Sequence, residues 1–272
     1  MPHNNNIIKI ILTCICLLLS CNISNTNTAK NVKMELKSEQ DTKNKKVRQQ
    51  IFDEETEFDY SDFFDLKNNK AYDRFFAGNL KLTTGQVVCV DPMALSPALP
   101  QTWSVPKGDY PVYLYIGLEG DFAGRVAYAE LNIKDAIPDY WELSLISEKL
   151  LTSDFEKKLN GMYPVDAGLS CFSDFETLKI YEQEVDSFYA LNKNRNYYAD
   201  ILEKHFKQNA SIPKSSRGED WINYKPSNAN GNIVMFGSGW GDGLYPRYVG
   251  FNRNGDIVKF VTEFIQLSDE TE

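Results

Sequence analysis

Short runs in which apolar and polar residues alternate, broken by Gly, Pro and Asp clusters, constrain this chain more than any other feature. Val112, Leu114 and Ile116 alternate with Tyr113 and Tyr115, and Val258, Phe260, Thr262 and Phe264 repeat the pattern near the end. A period of two belongs to a strand that buries one face. In Arg125 to Ile133, Ala127, Ala129, Leu131 and Ile133 share one face, and Leu80 to Leu82, Val87 to Val90, Ile233 to Phe236 and Tyr245 to Phe251 also read as strands. Thr84-Gly85 reads as the turn of a hairpin joining the first two, and Asn254-Gly255 is the strongest short hairpin signal.

Between these strand-like regions the period changes to that of a helix. Leu150, Leu151, Phe155 and Leu159 predict a helix over 147–159. Ser173-Asp174-Phe175-Glu176 has the form of a capping box opening a second helix through Leu178, Tyr181, Val185 and Phe188. A third helix places Tyr198, Ile201, Leu202 and Phe206 on one face, with His205 at its edge. The aromatic-rich stretch from Ile51 to Phe76 fits a helix or irregular packing, and the polar stretch 207–230 reads as a loop containing Trp221. The expected class is α+β, mainly antiparallel sheet with a helical insertion in the middle.

The N-terminus reads as a targeting segment and stands apart from the fold. Ile10 to Leu19 is apolar but too short for a spanning helix, which needs about 20 residues. Leu18-Leu19-Ser20-Cys21 resembles the cleavage box of a bacterial lipoprotein, with Cys21 as the lipid attachment site. An ordinary secretory peptide that happens to contain a cysteine is the plainer alternative. The resemblance implies a signal over 1–20, a cell-envelope location and a membrane partner reached through the lipid. In Gram-negative lipoproteins an Asp after the cysteine favours inner-membrane retention, so Asn22 points to the outer membrane.

Residues 21–50 form a basic, disordered tether and 51–272 a single domain in this reading. Residues 22–50 hold seven Lys and Arg against three Asp and Glu, whereas 51–272 hold 21 against 35. An acidic domain on a basic tether suits an anionic membrane surface and argues against nucleic acid as a partner. Beyond the signal only Cys89 and Cys171 remain besides Cys21, either as a disulfide or as two buried thiols. His205 is the single histidine outside the signal, which excludes sites that require several imidazoles.

Val90-Asp91-Pro92, Val105 to Val112, Val165-Asp166-Ala167-Gly168 with Cys171 and Asp174, and Ser238-Gly239-Trp240-Gly241-Asp242-Gly243 carry a family resemblance. Over about residues 78–267 the chain is similar to the bacterial "domain of unknown function 4241" family, which implies a shared fold and no activity.

Asp91, Asp166, Asp174 and Asp242 each stand near a strand end or beside Gly or Pro. If they converged they could bind Ca²⁺ or Mg²⁺, or divide into general acid and base. Asp beside Gly is equally ordinary turn chemistry. Trp240 could stack on a flat ligand such as a sugar, or pin its loop to the core. Trp103 and Trp141 read as core. Neither Cys171 nor Ser238 has an adjacent base, and Gly237-Ser238-Gly239 lacks the spacing of a nucleophile elbow. The leading expectation is a tethered binding or interaction module, protective or recognising an envelope component. A carboxylate- or metal-dependent hydrolase is the alternative, and a purely structural envelope protein is the third.

Overall fold

The computed structural model describes residues 66–94, 98–208 and 221–265. The readings for the signal, Cys21, the tether and the aromatic stretch up to residue 65 lie outside these residues. The fold is α+β: two antiparallel sheets, with helices inserted mid-chain.

The larger sheet orders its strands as β1 (Tyr72–Leu82), β3 (Gly108–Gly117), β4 (Val126–Asn132), β11 (Ile257–Glu263), β10 (Gly243–Phe251) and β5 (Tyr140–Leu143). A seventh strand, β6 (Met162–Val165), also pairs with β10. The smaller sheet runs β2 (Val87–Val90), β7 (Leu169–Asp174), β9 (Ile233–Gly237) and β8 (Trp221–Tyr224).

Alternation within the small sheet creates two cores. Val87, Cys89, Phe172, Val234 and Phe236 join the core shared with the large sheet. Val88, Val90, Cys171, Ile222 and Met235 pack on the other side with Leu178, Tyr181, Leu202 and Phe206 from the helical layer. Both faces are dry, so β2 and β7 are buried at every position, as expected for a strand covered on both sides. Cys89 and Cys171 are free and buried. Cys89 pairs with Phe172 and Val90 with Cys171, so the two thiols occupy opposite faces, which explains why they are not bridged.

The short α1 (Asp154–Lys158) lies in the connection between β5 and β6, whereas the helical layer comprises α2 (Phe175–Leu191) and a π-helical turn Tyr198–Leu202 that runs into α3 (Glu203–Gln208). Glu184 on α2 ties this layer together. Its carboxylate accepts from Tyr197 Oη at 2.6 Å, from Tyr224 Oη and from the Ser227 N–H at 2.7 Å. His205 lies edge-on to Tyr224, with ring centroids 5.6 Å apart.

Several local expectations are corrected. Thr84-Gly85 is no hairpin turn, because β1 and β2 belong to different sheets. It passes the chain from one sheet to the other, with Gly85 at φ +85° where a Cβ would meet Val105 O at 2.0 Å. The stretch Tyr72 to Phe76 opens β1 rather than a helix. Trp221–Tyr224 is a strand, not loop, since Ile222 and Tyr224 reach the helix-side core. The helix expected over 147–159 is broken into a 3-10 turn Glu148–Leu150 and the five-residue α1.

The expected capping box at Ser173 is also absent, because Ser173 is the penultimate residue of β7 and α2 starts at Phe175. A reciprocal box forms instead at Ser153 and Glu156. The Ser153 N–H donates to the Glu156 carboxylate at 2.9 Å, and the Glu156 N–H donates to Ser153 Oγ at 3.1 Å.

Burial pushes the Glu184 carboxyl upward, but the hydrogen bonds from Ser227, Tyr197 and Tyr224 outweigh it and hold it below the ordinary value of 4.5. A carboxyl depressed in the folded state stabilises above its unfolded value and loses that contribution as pH falls through the folded one. Glu184→Gln is expected to cost about 1–2 kcal/mol at pH 7, with the gap from the parent closing below about pH 4. Urea unfolding followed by circular dichroism across pH 3–8 measures it, and a gap that persists unchanged at pH 3 would contradict the assignment.

Candidate functional site

Three of the motif segments meet at one corner of the molecule, and Asp91 holds them there. Asp91 is fully buried just past the end of β2. One carboxylate oxygen accepts the Met93 N–H at 2.7 Å, closing an Asx turn. The other accepts the N–H groups of Asp166 at 2.9 Å and Ala167 at 2.8 Å, which fixes the turn between β6 and β7. Gly168 in that turn accepts the Ser238 N–H at 3.1 Å, bringing in the glycine-rich loop. Within the loop, Ser238 Oγ and Tyr245 Oη both donate to Gly241 O, at 2.8 and 2.9 Å.

Asp174 does the same work elsewhere. It is fully buried and accepts from Thr83 Oγ1, the Thr84 N–H and Thr84 Oγ1, each at 2.8 Å, and from the Gly85 N–H at 3.2 Å. It pairs with Val87 at the start of β2, whereas Asp91 follows the end of that strand. The two lie about 14 Å apart at ~3.4 Å per residue. Asp166 and Asp242 are exposed and stand one residue beyond the Val165–Gly243 pair of β6 and β10. The four carboxylates are therefore not one cluster, because two are engaged by backbone and hydroxyl donors at opposite ends of a strand. Among the described residues no three His, Cys, Asp or Glu side chains are grouped so that they could hold a metal ion.

Trp240 is 47 % exposed and lies under Arg125, whose guanidinium carbon is 4.8 Å from the ring centroid. Arg125 also donates to Gly239 O at 3.0 Å. The loop is pinned to the core by Gly239, not by the tryptophan. At φ +60° Gly239 approaches so closely that a Cβ would sit 2.7 Å from Phe264 Cβ and 2.8 Å from Val126 O. Of the other tryptophans, Trp141 is core and Trp103 packs against it partly exposed.

Beside the Asp91 corner lies a cavity of about 290 Å³. Its walls come from Val90 and Ala94, on either side of the Asp91 turn, and from Met162, Tyr163 and Pro164 on β6. A loop between β5 and β6 supplies Ile146, Leu151, Glu156 and Leu159. Ser153 and Asn160 of the same loop and Arg247 on β10 add polar groups to the wall.

Both ends of that loop are tied to the Arg247 backbone. The Ser144 N–H donates to Arg247 O at 2.7 Å, and the Arg247 N–H donates to Gly161 O at 2.8 Å. Asn160 closes the neck, accepting the Ile146 N–H at 2.7 Å and donating to Ile146 O at 2.8 Å. The result has the form of a compact loop with adjacent ends, a type that frequently carries function.

Arg247 is only 2 % exposed. Its Nη2 donates to Met162 O at 3.0 Å and Nη1 to Cys89 O at 3.4 Å, linking β6 of one sheet to β2 of the other. The Tyr163 ring centroid is 5.6 Å from the guanidinium carbon. Tyr163 Oη lies 2.6 Å from Ser170 Oγ and 2.8 Å from Thr262 Oγ1, forming a buried hydroxyl cluster next to Cys89. Burial pushes the Cys89 thiol up, against smaller opposing effects from Tyr163, Arg247, Ser170 and Thr262. Burial also pushes the Cys171 thiol well up, so both thiols are protonated and inert as nucleophiles. Burial lowers the Arg247 guanidinium, yet arginine remains a cation at neutral pH.

The sequence pointed to the Asp91 corner but not to the cavity. Arg247 sits in the strand run Tyr245 to Phe251, where nothing local distinguishes it from a surface strand residue. The signal that could have been read is Ser153-x-x-Glu156 beside Asn160, a capped turn within the interrupted helical pattern.

A family described as "Protein of unknown function (DUF4241)" matches residues 80–262, more than half of the 272-residue chain. The chain belongs to that family. No curated protein and no solved structure matches it.

Asp91→Ala and Asp174→Ala are each expected to cost about 3 kcal/mol, lowering the thermal midpoint by roughly 6–12 °C, because several donors lose their acceptor at once. The two costs should add in the double variant within ~0.5 kcal/mol, as befits separate turns. Denaturation of the four proteins checks this, and strong coupling would indicate a shared site instead.

Proposed function

We propose that this DUF4241 member is a lipid-anchored binding module of the cell envelope, tethered through Cys21, with the cavity beside Asp91 as its ligand site. The cavity itself carries the reading. At about 290 Å³ it falls near the lower end of the roughly 300–1,000 Å³ found for small-molecule sites, and its walls are mainly aliphatic. Such a wall favours retention of an apolar group by desolvation, at about 25 cal/mol per Å² removed from water. Asp91 acts at one remove: by fixing the turn that bears Val90 and Ala94 against β6, it positions two walls of the cavity.

Binding is favoured over hydrolysis because the wall offers no acid–base pair. Its one carboxylate, Glu156, accepts from the Thr152 and Ser153 N–H groups and from Thr152 Oγ1. Those bonds hold it below its ordinary value, so it remains an anion. The basic tether beyond Cys21 supports membrane attachment by its charge, and the acidic body favours a projecting orientation.

Two measurements test the reading. The protein made in a lipidating bacterial host should partition into detergent and carry an acyl mass that Cys21→Ala removes; a soluble, unacylated product rejects the anchor. Calorimetric titration with the six-carbon probes hexanoate and hexanamide should show binding of at least one. Ala94→Leu, which fills the cavity, should weaken it tenfold or more. Binding that ignores Ala94→Leu would put the site elsewhere.

A further inference from the structure

Arg247 is anomalous among the buried charges. The described residues include six buried charged side chains, namely Asp91, Glu130, Asp174, Arg247, Lys259 and Glu263. Asp91 and Asp174 accept three and four hydrogen bonds respectively. Glu130 is flanked by Lys259 Nζ at 2.9 Å, Arg74 Nη2 at 3.2 Å and Tyr115 Oη at 2.9 Å. Glu263 accepts from Tyr248 Oη at 3.2 Å. Arg247 has no ion-pair partner among the described residues, and, unlike the carboxylates of Asp91 and Asp174, it keeps a buried donor, Nε, with no hydrogen-bond partner. A buried ion without a counter-ion is costly, which makes two backbone carbonyls and a ring face incomplete compensation. This ion forms part of the cavity wall.

We infer that the cavity binds a small monocarboxylate with an apolar tail, its carboxylate paired to Arg247 and its tail against the aliphatic wall. The inference rests on the cavity being the ligand site. It adds the charge and class of the ligand.

The chemistry selects a carboxylate over a phosphate. A guanidinium presents planar N–H donors suited to a carboxylate, and each Nη of Arg247 carries a second N–H beyond the one given to Cys89 O or Met162 O. A phosphate dianion would need more positive charge than one arginine supplies, and Glu156 in the same wall repels a dianion about twice as strongly as a monocarboxylate. Remaining walls such as Ile146, Leu151 and Met162 offer an acyl or aryl tail an apolar surface.

Matched probes test the inference on the full-length protein, with hexanoate, its neutral isostere hexanamide, and inorganic phosphate titrated calorimetrically at pH 7. Hexanoate should bind about 10- to 100-fold more tightly than hexanamide, the range expected for hydrogen bonds to a charged group. Arg247→Met should abolish that preference, and Arg247→Lys should retain part of it.

Should Arg247→Met fail to fold, the hexanoate-to-hexanamide ratio in the parent protein still decides. Equal affinities overturn the inference, leave the cavity reading intact and reduce Arg247 to a bridge between the sheets. Phosphate binding more tightly than hexanoate overturns the carboxylate assignment. No binding by either organic probe overturns both the inference and the cavity reading.

Discussion

Everything in this fold depends on a four-stranded sheet that must be dry on both faces. Each inward-pointing side chain of β2, β7 and β9 enters one of two cores, and fully burying a Val, Phe or Met contributes about 1.5–3 kcal/mol. One core requires the larger sheet and the other requires the helices, so neither layer is optional. The turn carboxylates follow from the same constraint. Short strands buried on both faces end in turns close to the interior, and their N–H groups need acceptors that water cannot supply. Asp91 and Asp174 are those acceptors, at opposite ends of β2.

The sheets are also stitched by charge. Arg247 projects from β10 of the large sheet and donates to β2 of the small one, while its backbone grips the neck of the loop between β5 and β6. One residue therefore determines where the loop leaves the sheet and where a cation sits beneath it. Strand β10 pairs with β6 through its first half and β5 through its second, with Arg247 at the break. A gap in a ladder is a natural place for a cavity, since side chains on either side cannot close over it.

Particular elements show how far local pattern reaches. The alternation in β3 and β11 was visible because each of these strands presents partly different environments to its two faces, and Asn254-Gly255 marked the β10–β11 turn. Strands β6 and β7 were not visible, because Met162 to Val165 contains a proline and Leu169 to Asp174 mixes Ser with Cys and Phe. Polarity there is compensated by partners distant in sequence, such as Tyr163 and Thr262 around Ser170. The Ser173 capping signature misled for a related reason: the strand ladder claimed Ser173 first, and Asp174 turned its side chain to the Thr83–Gly85 turn. Of the candidate site, Asp91 was legible by its place at a strand end, though its role as an acceptor for another turn was not.

The sequence by itself determined the class, α+β with antiparallel strands on either side of a helical middle, because periodicity and turn chemistry are local properties. It also identified the motif segments that meet near Asp91. Tertiary structure alone decided which strands share a sheet, that Cys89 and Cys171 face apart, that Asp91 and Asp174 lie at opposite ends of β2, and that Arg247 lies buried beside a cavity. Those outcomes depend on pairing across as many as 158 residues of separation, as between Arg247 and Cys89, where the burial of a charge and the partners left to it are set by packing.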